Sequence, residues 1–427
     1  MKTEKISLRE AISIGIGGMV GGGIFAVLGL AVALAKGGTP LSFLIAGLIA
    51  LLTSYSYVKL SLAFPDRGGT VKFINTGFGT GIVSGGMNNL LWICYIIMIA
   101  LYASAFGSYA PNLFEISSSK AFDTHLYATG IILFATAINY YSVKIVGKIE
   151  SYAVLLKLLI LLAFVLIGLY GLRNSVHLEQ LAINNWESPL SLIAAGMVIF
   201  VAYEGFELIA NAAPDIINPK KNIPKAYYFS VVFVIILYIT IAIITVGSLP
   251  FNTIAAAQDY VLAEAAKPLL GTIGFTIITI AALISTFSAI NASLYGGSRV
   301  SFEIAEDDEL PHAFTGKLWN QPIGLLITAL ATILITNTLN LESISIAGSI
   351  GFLIIFAIVN FIGYQKSLQI KGNKIIPLFG FLSCLIALIT LVINQYSENI
   401  LGIWISFGLV LGCLIIEYFY KKRAIKS

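Results

Sequence analysis

Charge is scarce in this sequence: Asp, Glu, Lys and Arg together make up 11% of its 427 residues. Soluble domains carry about 25% charged residues, so an ordinary soluble domain is excluded. Apolar residues make up 58% of the chain and form long runs of helical length. An outer-membrane barrel would need short alternating segments instead, and these are missing. The composition therefore predicts an all-α polytopic membrane protein that lies in a lipid bilayer as one unit.

Cysteine and histidine are also rare, with three of each. Cys94, Cys384 and Cys413 lie in apolar runs without a pairing pattern, which excludes a disulfide framework, and the histidines are too scattered for a metal site. No set of nucleophile, base and orienting group is present, so we expect no enzyme, no cofactor and no metal. The net charge of +4 comes from basic residues in short loops, so it indicates no nucleic-acid partner.

Twelve apolar runs are suited to crossing a bilayer, which takes about 20 helical residues. We number them spans 1 to 12 and place them at residues 8–34, 41–64, 83–109, 126–143, 149–172, 190–213, 227–249, 267–302, 323–339, 343–364, 376–393 and 400–420. A short re-entrant or amphipathic piece is expected at residues 73–82.

The distribution of basic residues predicts the orientation. An even number of spans puts both termini on one side, and the segments on that side carry 20 of the 25 Lys and Arg residues. Because such residues concentrate in cytoplasmic loops, we expect a plasma-membrane protein with both termini in the cytoplasm. The N-terminus has no small-residue cleavage site before its long apolar run, so we expect span 1 to be retained.

A glycine run interrupts span 1, with six glycines between Gly15 and Gly23. Each interior glycine costs a helix ~1 kcal/mol relative to alanine, so the run predicts an unwound segment. Unwound backbone at membrane depth is tolerated only where protein, water or a ligand satisfies it, which indicates a binding site. The alternative is close helix packing through Gly17/Gly21 and Gly18/Gly22. A dinucleotide fingerprint is rejected, because no strand precedes the run and the next acidic residue is Asp66.

Span 6 carries the second interruption, where Glu204, Gly205 and Glu207 occur together near its middle. Broken helices five spans apart are typical of inverted-repeat transporters, which hold substrate between the breaks. We therefore expect a five-plus-five inverted repeat with spans 1 and 6 broken. Residues 1–173 would form the first repeat, residues 174–366 the second, and residues 367–427 would add peripheral spans 11 and 12 with a basic tail.

Apart from residues near the span ends, such as Lys59 and Arg299, Lys157 is the only basic residue that we place inside a span. It lies about eight residues into span 5, or ~12 Å from its start, which is roughly midway into the hydrocarbon. A charged residue at this depth usually marks a functional site. The alternative is a lipid-facing lysine whose ammonium reaches the inner headgroups.

Three motifs resemble the amino acid-polyamine-organocation transporters. They are residues 21–25 (Gly-Gly-Gly-Ile-Phe), residues 200–207 (Phe-Val-Ala-Tyr-Glu-Gly-Phe-Glu) and residues 218–226 (Asn-Pro-Lys-Lys-Asn-Ile-Pro-Lys-Ala). The resemblance covers most of the chain and is strongest to the prokaryotic proton-coupled branch with a lysine in helix 5. One departure follows span 8, where the family's Arg-Asp-Gly is replaced by an acidic stretch ending at Pro311.

The resemblance implies a substrate site at the two breaks. Backbone amides of Val20, Gly21, Gly22, Gly23 and Ile24 would hold a substrate carboxylate, as a half-helix N-terminus favours an anion. Carbonyls around Phe200, Ala202 and Tyr203 would accept its ammonium. Phe25, Tyr203 and Phe206 either cover the substrate side chain or pack ordinarily. Glu207 is expected to be structural, while Glu204 either meets a substrate or a proton, or lines a polar crevice.

The resemblance also assigns Lys157 a role. In sodium-coupled members, carbonyls of helix 1 and hydroxyls of helix 8 hold a sodium ion, and in the proton-coupled branch a lysine ammonium takes that place. The partners here would be the carbonyls of Gly17 and Val20 with Ser285 and Ser288, although serines in helices are otherwise common packing residues.

We therefore expect a secondary active transporter that imports amino acids by proton symport through alternating access. An amino acid or polyamine exchanger and a sodium-coupled symporter are the alternatives within this class. An ion channel would need a ring of polar pore-lining residues, which paired breaks do not provide.

Overall fold

A computed structural model describes residues 5–141, 143–310, 312–318 and 321–424. Ser142 of predicted span 4 and Pro311 of the acidic stretch lie outside the described residues. The helices are α1 (Leu8–Met19), α2 (Gly23–Ala35), α3 (Thr39–Ala63), α4 (Thr70–Phe78), α5 (Ile82–Tyr109), α6 (Lys120–Tyr141), α7 (Val143–Gly171), α8 (Pro189–Val198), α9 (Leu208–Ala212), α10 (Pro219–Ser248), α11 (Phe251–Ala256), α12 (Val261–Glu306), α13 (Gly324–Thr338), α14 (Leu341–Gln365), α15 (Ile375–Glu398) and α16 (Ile400–Ala424). Two short strands, β1 (Lys317–Leu318) and β2 (Gln321–Pro322), pair antiparallel.

The helices match the predicted spans one for one. Within the described ranges, nine helices are long and apolar enough to cross a membrane, two further spans are bent helix pairs, and α13 is a shorter apolar helix. The bent pairs are spans 1 and 6, the two for which the sequence predicts breaks. The all-helical, twelve-span prediction is therefore confirmed, and α4 accounts for the short piece expected before span 3.

Span 8 is longer than predicted, because α12 begins at Val261 rather than near Lys267. Residues 261–266, which lie outside the predicted span, form the first turns of this helix. This helix is kinked at Gly271, whose backbone φ of 62° is left-handed and which follows the helix-breaking Pro268. The outer end of span 8 is thus a separate helical segment.

The breaks in spans 1 and 6 pack directly against each other. Helices α1 and α2 are bent by 44°, and the two halves of span 6 by 52°. A Cβ added to Gly18 would lie 2.8 Å from the carbonyl oxygen of Gly205, and one added to Gly23 would lie 2.8 Å from the Cα of Ala202. Both explanations of the glycine run therefore apply: the helix unwinds, and its glycines allow close backbone contact.

Both ends of the described chain lie on one side of the helix bundle, which we call the terminal face. Next to the start of α1, the Ile6 amide donates to the Asp215 carbonyl at 2.9 Å, and Arg67 forms a 3.1 Å ion pair with the Asp215 carboxylate. At the end of α16, Lys421 donates to the Asp308 carbonyl at 2.9 Å. These contacts connect the termini to the loops that follow α3, α9 and α12.

The acidic stretch after α12 has its own set of partners on the terminal face. Asn75 donates to Asp307 at 2.9 Å, and the buried Glu309 carboxylate accepts from Asn88 at 2.6 Å and from Ser84 at 3.1 Å. Burial raises the pKa of Glu309, although both of these hydrogen bonds oppose that shift. Side-chain hydrogen bonds to α4 and α5 thus anchor this loop.

We expect Gly205→Ala to destabilise the protein severely. Gly205 has a φ of 118°, and an added Cβ would overlap the backbone of Gly18. A strained backbone conformation alone costs about 1–3 kcal/mol. Thermal unfolding in detergent, monitored by size-exclusion chromatography, should show a lower midpoint temperature for the variant than for the wild type. Gly130→Ala is the matched control, because a Cβ there meets nothing within 4 Å. Equal stability of the two variants would contradict the close approach of the breaks.

Candidate functional site

The break in span 1 leaves a new helix N-terminus inside the bundle. Helix α1 ends at Met19, and α2 starts at Gly23 with Gly22 as a cap that makes no side-chain hydrogen bond. The first N–H groups of a helix have no acceptor within that helix, and its dipole favours negative charge there. This is the position at which the sequence predicts a carboxylate cradle.

One hydroxyl group bridges the two breaks. Tyr238 on α10 donates to the carbonyl of Met19 at 2.7 Å, and its oxygen also lies 3.2 Å from the carbonyl of Ala202. Unpaired carbonyls are costly at membrane depth, so this tyrosine stabilises both unwound segments together. The Ala202 carbonyl, one of the predicted ammonium acceptors, therefore has a protein partner in this conformation.

Lys157 is fully buried on α7 and contacts the break in span 1 from the other side. Its Nζ donates to the carbonyl of Gly17 at 3.1 Å. Full burial rules out a lipid-facing lysine.

Helix α12 supplies hydroxyls beside Lys157. The Ser285 side chain donates toward the carbonyls of Val20, at 3.0 Å, and of Gly21. Ser288 is also buried on this helix. Lys157, Gly17, Val20 and Ser285 are thus brought to one region, with the Gly17 carbonyl bonded to lysine and the Val20 carbonyl to serine.

A cavity of about 530 Å³ extends from the breaks toward the terminal face; we call it the vestibule. Its walls come from α1, the middle of α7, the start of α9, α12 beyond its midpoint, and single residues of α5 and the break in span 6. The lining residues are Glu10, Ser13, Ile14, Gly17, Gly18, Tyr102, Val154, Leu155, Leu158, Glu204, Leu208, Ala289, Ala292 and Ser293. Of the site residues predicted from sequence, Gly17 and Glu204 line it.

Two carboxyl groups lie next to each other in the break of span 6 and have different surroundings. Glu204 is 4% exposed at the inner end of the vestibule and accepts from the Tyr102 hydroxyl at 3.4 Å. Glu207 is fully enclosed and accepts from the Gly205 amide at 2.7 Å, a local backbone contact that fits its expected structural role.

The aromatic residues predicted to cover a substrate side chain are packed against protein. Phe206 contacts the rings of Tyr57, Tyr227 and Phe356 with centroids 5.2–6.3 Å apart. The Tyr203 hydroxyl donates to the Phe43 carbonyl at 2.8 Å. Phe25 lies edge-on to Tyr109 at 6.1 Å. None of the three lines the vestibule as described, so ordinary packing accounts for them in this conformation.

A family model described as amino acid permease matches residues 6–416. The chain belongs to the amino acid permease family. Similar proteins include MJ0609, an uncharacterized protein of Methanocaldococcus jannaschii, which is 36% identical over 99% of this chain and 96% of its own length. The inner membrane transport protein YbaT of Escherichia coli is 31% identical over 99% and 98%. The serine/threonine exchanger SteT of Bacillus subtilis is 26% identical over 90% and 88%.

Tyr102 is a site residue of this amino acid permease that sequence reasoning missed. Its ring lies so close to Gly22 that an added Cβ would overlap it, and its hydroxyl reaches Glu204. The ring therefore separates the helix N-terminus at Gly22 from the vestibule. The one available signal was a tyrosine among small residues in an otherwise apolar span.

The vestibule of the permease should admit water-soluble reagents. We expect Ser293→Cys to react with a hydrophilic maleimide in detergent, since Ser293 lines the cavity. The matched control Ser54→Cys should not react, because Ser54 is fully buried elsewhere. The three native cysteines are buried and should leave the wild type unlabelled, as measured by intact mass. Labelling of Ser54→Cys but not Ser293→Cys would contradict the cavity.

Proposed function

We propose that this permease imports amino acids by proton symport through alternating access. The observation that carries the proposal is the buried Lys157, whose Nζ binds the Gly17 carbonyl at the break in span 1. A charged group at this depth is costly unless it has a function and partners. It occupies the neighbourhood where a sodium ion would need carbonyl and hydroxyl ligands, so we propose protons rather than sodium as the coupling ion.

The shape of the cavity supports an inward-facing conformation. The vestibule opens toward the terminal face, and the positive-inside rule places that face in the cytoplasm of a cell membrane. On the opposite side, Gly29 of α2 packs so closely against the backbone of Gln258 that an added Cβ would overlap it. We propose that this contact closes the outer entrance here and separates when the outer side opens.

We propose that residues 1–173 and 174–366 are the two inverted repeats, with residues 367–427 peripheral. The breaks five spans apart and their mutual packing support this division. The first helices of each repeat would move together. Their inner ends are joined by the Ile6–Asp215 hydrogen bond and the Arg67–Asp215 ion pair.

The substrate carboxylate would bind the amides of residues 20–24, and its ammonium the carbonyls of residues 200–203. In the inward-facing conformation the Tyr102 ring covers Gly22, so we propose that Tyr102 swings away when substrate binds. Phe25, Tyr203 and Phe206 would form the walls of the site once it is occupied.

The proton cycle follows from the contacts of Lys157. Burial destabilises its ammonium, whereas the Gly17 carbonyl stabilises it, and we propose that the α12 hydroxyls of Ser285 and Ser288 add to this stabilisation. When α1 and α12 close on α7, the protonated form is held. When they part toward the cytoplasm, water and the loss of partners release the proton inward. A ligand shifts such an equilibrium only by its different affinity for the two states, which links substrate and proton entry.

Exchange is the second candidate, because one relative is named as a serine/threonine exchanger. An exchanger moves substrate only against substrate on the other side. Uptake into proteoliposomes without internal amino acid supports symport, whereas an absolute need for internal amino acid would favour exchange.

We expect Lys157→Ala to lose accumulation driven by an inward pH gradient in proteoliposomes, because the proton carrier is gone. Lys59→Ala should behave as wild type, since the half-buried Lys59 lies away from the breaks, where its ammonium donates to the Lys371 carbonyl and lies over the Tyr55 ring. Uptake of radiolabelled amino acids with imposed pH or sodium gradients measures both. Wild-type uptake that follows sodium and ignores pH, or a Lys157→Ala protein that still concentrates substrate, would overturn the proposal.

We expect Gly22→Ala to abolish substrate binding in a folded protein. The methyl group would push the Tyr102 ring and enter the space where the carboxylate approaches the backbone. Stabilisation against heat by a panel of amino acids reports binding, because a ligand that binds only the folded state raises the unfolding midpoint. Gly130→Ala is the control, and unchanged stabilisation of Gly22→Ala would eliminate this site.

A further inference from the structure

The vestibule is acidic. Among the residues that the structure describes, two charged side chains line it, Glu10 near the mouth and Glu204 at the inner end, and no lysine or arginine does. Such a surface attracts cations and repels anions, most strongly where the walls exclude water. A substrate that arrives at the breaks therefore meets a carboxyl group in addition to the backbone.

Glu204 has no cationic partner within the described part of the chain. The Tyr102 hydroxyl donates to Glu204 at 3.4 Å, the neighbouring Glu207 carboxyl group also interacts with it, and the Lys157 ammonium donates to the Gly17 carbonyl. The titratable groups that act electrostatically on Glu204 from α3, α5 and span 6 are all acidic or neutral: Tyr57, Cys94, Tyr95, Tyr102 and Glu207. The adjoining wall from α12 contributes only Ala289, Ala292 and Ser293.

Closure of the vestibule changes the stability of an ionised Glu204 carboxylate. While the vestibule is open, water can reach Glu204 and exchange protons with it. When the walls close and water leaves, an ionised carboxylate without a partner is strongly destabilised, so Glu204 enters the closed state with either a proton or a bound cation.

We propose that Glu204 binds the side-chain ammonium of amino acids such as lysine and ornithine, and carries a proton when the cargo has no such group. The proposal rests on the proposed function and names its substrate class: amino acids with a second cationic group, alongside zwitterionic ones. An anionic side chain is disfavoured, because it would face Glu204 without a compensating cation.

The proton count then depends on the cargo. With a zwitterion, Glu204 keeps its proton throughout, and Lys157 brings one proton in. With lysine, the substrate ammonium displaces the Glu204 proton to the outside, and the empty carrier picks up a proton inside before it returns. Lysine import therefore sends one proton out through Glu204 and brings one in through Lys157. Each cycle moves one net positive charge with either substrate.

The test uses wild-type protein in proteoliposomes that contain a pH-sensitive dye, with alanine and lysine as the two probes. We expect alanine uptake to acidify the lumen. Lysine uptake at the same rate should leave the luminal pH nearly unchanged, although both uptakes should respond equally to membrane potential.

A substitution at Glu204 distinguishes a specific role of this carboxyl group from a general effect of negative charge in the vestibule. Glu204→Gln should lower lysine uptake relative to alanine uptake by about tenfold or more, as expected from the loss of a charge-assisted hydrogen bond. Glu10→Gln removes the other vestibule carboxylate but can keep the helix cap that Glu10 forms with Ser7, and it should preserve the ratio.

Two results would overturn the inference: wild-type protein that neither transports lysine nor is inhibited by it, or a Glu204→Gln protein with an unchanged lysine-to-alanine ratio. Failure of the proposed function looks different, because alanine uptake would then neither acidify the lumen nor depend on a pH gradient. The uptake ratio requires no proton measurement, so the two failures are distinguishable.

Discussion

A backbone carbonyl without a partner is costly inside a membrane protein. This molecule unwinds two helices at the middle of its bundle, so the carbonyls there need partners from other parts of the chain. The Tyr238 hydroxyl lies within reach of Met19 in one break and Ala202 in the other. The two unwound segments thus depend on a shared partner as well as on the glycine contacts between them. The surrounding helices supply further donors, as Tyr109 does for Phe25 and Ser285 for Val20.

Two buried charged residues near the breaks are stabilised in a similar way, by hydrogen bonds to backbone groups. Lys157 binds a peptide carbonyl of α1, and Glu207 accepts from a peptide N–H in the break of span 6. This arrangement couples the protonation of Lys157 to the geometry of α1. A movement of α1 that alters the break also alters the environment of the lysine.

The sequence predicted the spans well, because a hydrophobic run of membrane length has few alternative structures. It also located both breaks, since clustered glycines and paired carboxylates conflict with a plain apolar helix. It misplaced the start of α12, where residues 261–266 extend the helix beyond the predicted span. It could not find Tyr102 or Tyr238, because a tyrosine in an apolar span acquires its role only from tertiary contacts. The residues at the break in span 1 were partly predictable: the family resemblance implies the Gly17 carbonyl and Ser285, whereas the positions of the aromatic rings depend on conformation.

The contact between Gly29 and Gln258 determines how the protein tolerates substitutions at these two positions. At this point α2 meets the main chain of residue 258, whose backbone atoms are the nearest to an added Cβ. A side chain at position 29 therefore adds volume where two backbones touch, whereas the identity of residue 258 matters less to the contact. The proposed outer seal consequently depends on shape more than on chemistry. In the proposed mechanism, a single methyl group at Gly29 shifts the population away from the closed contact without altering any group that binds cargo.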